Sequence, residues 1–263
     1  MKKAGLFLCL VALALCACVR QPPLAPGTEA AKEHDARWQA MLAANDARRT
    51  APFRMQMSLR FGSQGDTRRV TALLWGNDCN RLRLDVMAGV GAVVGRILDD
   101  GEHFLLYAPT ESKAYFHQGM NKPLLNMGGV PMPLSLATLT SLLDGAYADV
   151  FGRSYSASSS AKDGLAAFTL SSALGGELLL DKAGMPKLWR ETPGGGKGWV
   201  MDISPDDGAA GKPGRLSLRH SNGKIAVLLV KERETPARFA EDQLKFSLPP
   251  DVPVLPIAQY KSN

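Results

Sequence analysis

Cysteine is nearly absent from this 263-residue chain once its amino terminus is passed. Cys9, Cys16 and Cys18 crowd into the first eighteen residues, and Cys79 stands alone in the remainder. One thiol makes no intrachain disulfide framework, so stability must come from a hydrophobic core. Cys79 lies in Asp78-Cys79-Asn80 with no His or Lys beside it to activate it, and reads as a passive turn residue. Concentrated basic charge is missing too. No run of Lys or Arg exceeds two, whereas a nucleic-acid partner needs a basic stripe. Catalytic signatures are equally scarce. The histidines His34, His103, His117 and His220 lack metal-ligand spacing, and no G-x-S-x-G elbow seats a nucleophilic serine. Gly89-Val-Gly91-Ala-Val-Val-Gly95 imitates a dinucleotide fingerprint, but the residues after it read as a strand, not as the helix that such a site requires. The acid pairs Asp99/Asp100 and Asp206/Asp207 are each followed by Gly and read as turns. Neither an enzyme nor a nucleic-acid binder is expected.

What is present begins with Lys2 and Lys3, followed by an uncharged run from Ala4 to Ala17. That run is shorter than the ~20 apolar residues a spanning helix needs, and has the layout of a secretory signal. Leu15 at −3 and Ala17 at −1, directly before Cys18, resemble the lipobox of bacterial lipoproteins. The resemblance implies cleavage before Cys18, a diacylglyceryl thioether on its sulfur and an acylated amino terminus. Removal of residues 1–17 from 263 leaves 246, and loss of Lys2 and Lys3 lowers the formal charge from +6 to +4. Two or three acyl chains hold a protein on a membrane essentially permanently. No cofactor is expected beyond this covalent lipid. The Pro-rich residues 18–27 then form an extended lipidated tether.

Thr28 caps an expected helix running to about Ala47, with Trp38, Met41 and Leu42 making a narrow apolar stripe. Strict alternation follows. Phe53, Met55, Met57, Leu59 and Phe61 interleave with Arg54, Gln56, Ser58 and Arg60, a period of two that marks a half-buried strand. Five further strands are expected at Thr67–Trp75, Arg81–Val86, Val93–Leu98, His103–Ala108 and Lys113–His117, making an antiparallel meander. Leu134 to Leu143 reads as a second helix, capped by Ser135 and stopped at Gly145. Beyond it come Leu165–Ser171, Gly176–Asp181, Pro186–Glu191, Trp199–Ile203, Arg215–His220, Lys224–Lys231 and a last strand through Leu244, Phe246 and Leu248. Ser154–Ser160 is a Ser-rich stretch with no element assigned, and Asp206–Gly214 reads as a loop.

About a dozen antiparallel strands with two helices and no βαβ rhythm define a mainly β protein. A sheet that broad curls. Residues 28–263 are therefore expected to form one strongly curved antiparallel sheet, an open half-barrel whose apolar inner face lies beneath a helical lid.

Trp75, Arg81-Leu-Arg-Leu, Val90-Gly91 and above all Gly128-Gly-Val-Pro131-Met-Pro133-Leu134, with the Leu-rich helix to Gly145, resemble the LolB lipoproteins. The match runs in order over roughly Met55 to Gly145. It implies a curved sheet with helices plugging a hydrophobic cavity, an outer-membrane location facing the periplasm, and receipt of lipoproteins from a periplasmic LolA-like carrier. In that family a protruding loop with an apolar tip serves delivery to the membrane. The aligned turn here, Ala88-Gly89-Val90-Gly91, lacks the family's proline and places Val90 at the tip.

The expected function is thus that of a membrane-anchored protein binding acyl chains or lipidated cargo noncovalently. Met55, Met57, Leu59, Trp75, Leu84, Val86, Leu106, Leu136 and Leu139 are the candidate cavity residues, each also readable as plain core. The alternative is a structural envelope lipoprotein whose solidly packed fold serves as a docking module in an assembly or secretion complex.

Overall fold

The alternation over residues 53–63 becomes strand β1 (Phe53–Ser63), which buries Phe53, Met55, Met57 and Leu59 and exposes Arg54, Gln56 and Arg60. This and every other position below come from a computed structural model that describes residues 23–25, 27–48, 50–63, 65–89, 91–119, 125, 130–194 and 196–260. Cys18 and Val90 lie outside the described residues.

Five antiparallel strands follow β1 as expected: β2 (Asp66–Asp78), β3 (Arg81–Ala88), β4 (Ala92–Asp99), β5 (His103–Ala108) and β6 (Lys113–Gln118). A second meander comprises β7 (Tyr155–Ser160), β8 (Ala166–Leu170), β9 (Glu177–Leu180), β10 (Pro186–Arg190), β11 (Trp199–Asp206), β12 (Ala209–His220) and β13 (Lys224–Glu234). The two meanders join where β1 pairs antiparallel with β13, from Arg54 opposite Glu234 to Ser63 opposite Lys224. A three-residue strand, β14 (Val254–Pro256), adds in parallel to β6. All fourteen strands belong to one curved, unclosed sheet, with β14 at one edge and β7 at the other. Leu24, in the expected tether, donates its backbone N–H to the Ser158 carbonyl on the β7 edge at 2.8 Å.

Three helices are described. The first, α1 (Glu29–Asp46), starts at Thr28, whose hydroxyl accepts the Ala31 N–H. Ser135 caps α2 (Leu136–Leu143) by accepting the Thr138 N–H at 3.1 Å, and Leu136, Leu139, Leu142 and Leu143 are all buried. The short α3 (Tyr147–Phe151) has no counterpart in the sequence reading.

Helix α1 covers the second meander. Trp38 packs edge-on against Tyr155 and tilts onto Phe168 with ring centroids 5.0 and 5.1 Å away, while its indole N–H donates to the Arg153 carbonyl. Arg37 donates to the Gly164 carbonyl at 2.7 Å. The β9–β10 turn runs directly against the helix: a Cβ on Gly184, at φ +80°, would lie 2.5 Å from the Arg37 carbonyl oxygen. Asn45 ties α1 to α3 by accepting the Ala148 N–H and donating to Asp149. The carboxyl end of α2 is clamped by basic groups, which suit the negative end of a helix dipole. Arg233 donates to the Leu143 carbonyl, and Arg48 and Lys212 both bind Asp144.

Two expectations are corrected, and one stretch gains an element. The Ser-rich residues 155–160, assigned no element from the sequence, form β7, held by its pairing with β8. The region read as the loop Asp206–Gly214 is largely the start of β12, which folds back on β11 through bulges at Pro205 and Asp206. Leu244, Phe246 and Leu248 form no strand. That segment crosses the outer face of the sheet, where Phe239 exchanges two hydrogen bonds with Asn77 and Phe246 packs on Tyr107. The last strand is instead β14, on the β6 edge.

Candidate functional site: an apolar hollow over the first meander

Because α1 and α3 lie over the second meander, the inner face of β1–β5 is only partly covered. A hollow of about 460 Å³ remains there, within the size range of small-molecule sites. Its floor is built by inward-pointing residues of successive strands: Met57 and Leu59 on β1, Val70 and Ala72 on β2, Leu84 and Val86 on β3, Gly95 and Ile97 on β4, Leu106 and Ala108 on β5. Leu228 adds from β13. Leu139 of α2 with Leu125, Val130 and Met132 forms the roof, and Tyr260 forms a side wall.

Among the described residues the polar lining is confined to Arg68, Thr110 and Glu111 beside that tyrosine. Arg68 lies near the β1–β2 turn and Glu111 in the β5–β6 turn. These turns occupy the same end of an antiparallel meander, so the hollow is apolar inside and polar along one rim. Tyr115 donates to Glu111 Oε2 at 2.9 Å and meets Tyr260 edge-on, with centroids 4.8 Å apart. Burial, then the neighbouring Glu111 carboxylate, pushes both phenols above their ordinary pKa. Tyr115 is thus fixed as a hydrogen-bond donor.

Six of the nine residues picked from the sequence line this hollow: Met57, Leu59, Leu84, Val86, Leu106 and Leu139. Met55 and Leu136 are fully buried beside it in the core. Trp75 is a correction. It sits on the outer face, where its indole N–H donates to the Gln243 carbonyl and the Arg83 guanidinium stacks 4.9 Å from its ring centroid. Parity explains this, since Val70, Ala72 and Leu74 point inward and Trp75 has the opposite register. The same alternation held an unused signal for Val70, Ala72 and Arg68, all on one face of β2. Tyr260 had no local signal, because its place depends on the chain returning to the β6 edge.

Cys79 occupies the β2–β3 turn, where Asp78 accepts the Asn80 and Arg81 N–H groups. His103 and His117 sit one register apart on β5 and β6, and His103 bonds Asp100. Among the described residues no cluster of three or more His, Cys, Asp or Glu is placed to hold a metal ion, and no helix is long and apolar enough to cross a membrane.

No sequence family and no curated protein matches the chain. Solved structures do match in shape. The crystal structure of the LolA superfamily protein NE2245 from Nitrosomonas europaea has a TM-score of 0.53 and 11% identity, covering 79% of this chain and 96% of that one. A putative outer membrane lipoprotein-sorting protein domain from Vibrio parahaemolyticus gives 0.51 at 10% identity, covering 80% and 97%. A DUF1329 family protein from Desulfovibrio piger gives 0.52 at 8% identity, covering 81% and 97%. At such identities the likeness is one of fold, and the fold is LolA-like: an open, curved antiparallel sheet carrying its helices on one face.

Proposed function

We propose that this protein binds acyl chains of lipidated cargo in the hollow over β1–β5, anchored by lipid on Cys18 to the outer membrane and facing the periplasm. The observation carrying this reading is the 460 Å³ apolar space left over the first meander because α1 and α3 cover the second. A solidly packed docking module has no use for such a space. Binding is noncovalent, driven by burial of apolar surface at about 25 cal/mol per Å². Cargo arrives as a lipoprotein passed on by a LolA-like carrier, and Val90 touches the bilayer at release. The LolA-like fold supports the reading by analogy of architecture, which alone does not fix function.

Native mass spectrometry of residues 19–263, the span holding every described helix and strand, tests it. Co-purifying lipid, or uptake of a triacylated peptide at micromolar concentration, is the expected result. A clean apo mass with no uptake excludes the carrier and leaves the docking module.

A further inference from the structure

The hollow is two-ended, and the chemistry of its rim specifies more than an acyl chain. We propose that it takes an anionic amphiphile, with the chain in the apolar interior and a phosphate or carboxylate headgroup on Arg68. This inference rests on the acyl-binding reading and adds the headgroup class to it.

Arg68 shares the inward face of β2 with Val70 and Ala72, opposite Phe61 near the turn that closes the β1–β2 hairpin. It is the only cationic side chain lining the hollow among the described residues. Its neighbours on the outer face are occupied: Arg60 donates to Thr67, and Arg69 to Ser58. Arg68 itself is exposed and has no ion pair or hydrogen bond to any described residue. An unengaged guanidinium at the edge of an apolar trough presents a planar fork that matches a phosphate or carboxylate in two parallel hydrogen bonds. Its aliphatic stem can lie along the trough while the charge stays at the rim. Glu111, the one acid in the lining among the described residues, stands across the rim by β5. The anion is thereby directed toward the β2 side.

The test compares three probes on residues 19–263 by titration calorimetry: oleoyl lysophosphatidic acid, mono-oleoylglycerol, which keeps the chain without the charge, and glycerol 3-phosphate, which keeps the head without the chain. Wild type is expected to bind the lysophosphatidic acid about tenfold more tightly than mono-oleoylglycerol, and glycerol 3-phosphate not measurably. Arg68→Gln should erase the preference without lowering thermal stability, the loss falling on lysophosphatidic acid rather than on mono-oleoylglycerol, and Arg68→Lys should restore part of it. If mono-oleoylglycerol binds but the preference is absent, or survives Arg68→Gln, the headgroup assignment is overturned and the acyl reading stands. If glycerol 3-phosphate binds as tightly as the lysophosphatidic acid, the site is a plain anion site and the amphiphile is overturned. If neither chain-bearing probe binds, both readings fall together.

Discussion

His34 shows how one buried side chain makes the whole fold pH-sensitive. It lies buried on the inner side of α1 with its ring tilted onto Phe168, and its Nδ1 finds no partner among the described residues. Burial, reinforced by the Arg37 charge and opposed by Glu33 and Asp35, holds its pKa below the ordinary 6.5. The unfolded chain therefore binds the proton more readily. The stabilisation from the neutral ring is complete above pH 6.5 and is lost as pH falls from there toward the folded-state pKa, with a slope of at most about 1.4 kcal/mol per pH unit. The carboxylates with lowered pKa, such as Asp206 beside Arg233, lose their stabilisation only at lower pH. The melting temperature should thus fall between about pH 7.5 and 5.5, and His34→Gln should flatten that fall. An unchanged slope in the variant removes His34 as its source. Trp75 makes a different point at the same scale. An aromatic in a strand looks like core, yet register against Val70, Ala72 and Leu74 puts it on the outer face under Arg83. That was legible from alternation alone. Its cover, the segment around Gln243, was not, because it comes from a point in the chain far removed from β2.

Elements were readable where one face is apolar and the other charged. The β1 alternation and the Leu-rich stripe of α2 state their buried faces outright, and the caps Thr28 and Ser135 fall where the hydroxyls stand in the sequence. Strand β7 was not readable. Its Ser-rich residues are mostly half-buried, so hydropathy has no period, and only pairing with β8 makes them a strand. The position of α1 was also hidden, since its narrow stripe says that it docks but not on which strands. Gly184 fixes that docking by letting the β9–β10 turn touch the Arg37 carbonyl. A methyl group there meets both a positive φ and a contact of 2.5 Å with backbone oxygen. Gly184→Ala should cost more than about 1 kcal/mol. It should also raise amide hydrogen exchange in α1 and at Trp38 more than in β1–β5. Uniform loss of protection across the sheet would show that α1 is not held independently through this turn.

At the scale of the whole molecule, coverage of the sheet is lopsided. α1 and α3 pack Trp38 and Phe151 over the inner face of the second meander, against Phe168 of β8, all fully buried, while among the described residues the first meander is roofed by Leu139 of α2 with Leu125, Val130 and Met132. Curvature was implied by strand number, five of the hollow's lining residues by alternation, and Leu139 by the apolar stripe of α2. Which half would stay open depended on where α1 docks. The open half is a testable consequence because one strand position there carries no side chain. Gly95 on β4 faces the hollow with an ordinary backbone φ, and a Cβ placed on it meets only Val86, at 3.9 Å. Gly95→Phe therefore has room in the hollow and clashes with nothing at its base. Glycine is also a poor strand residue, so filling the site should leave stability unchanged or raise it by up to about 1 kcal/mol. Uptake of an acylated peptide should fall at least tenfold, because the ring occupies the volume the chain needs. Loss of uptake with a retained or higher melting temperature ties binding to the empty half of the sheet. Full uptake by a stable Gly95→Phe protein places the acyl chain elsewhere, and the hollow then becomes an imperfection in packing.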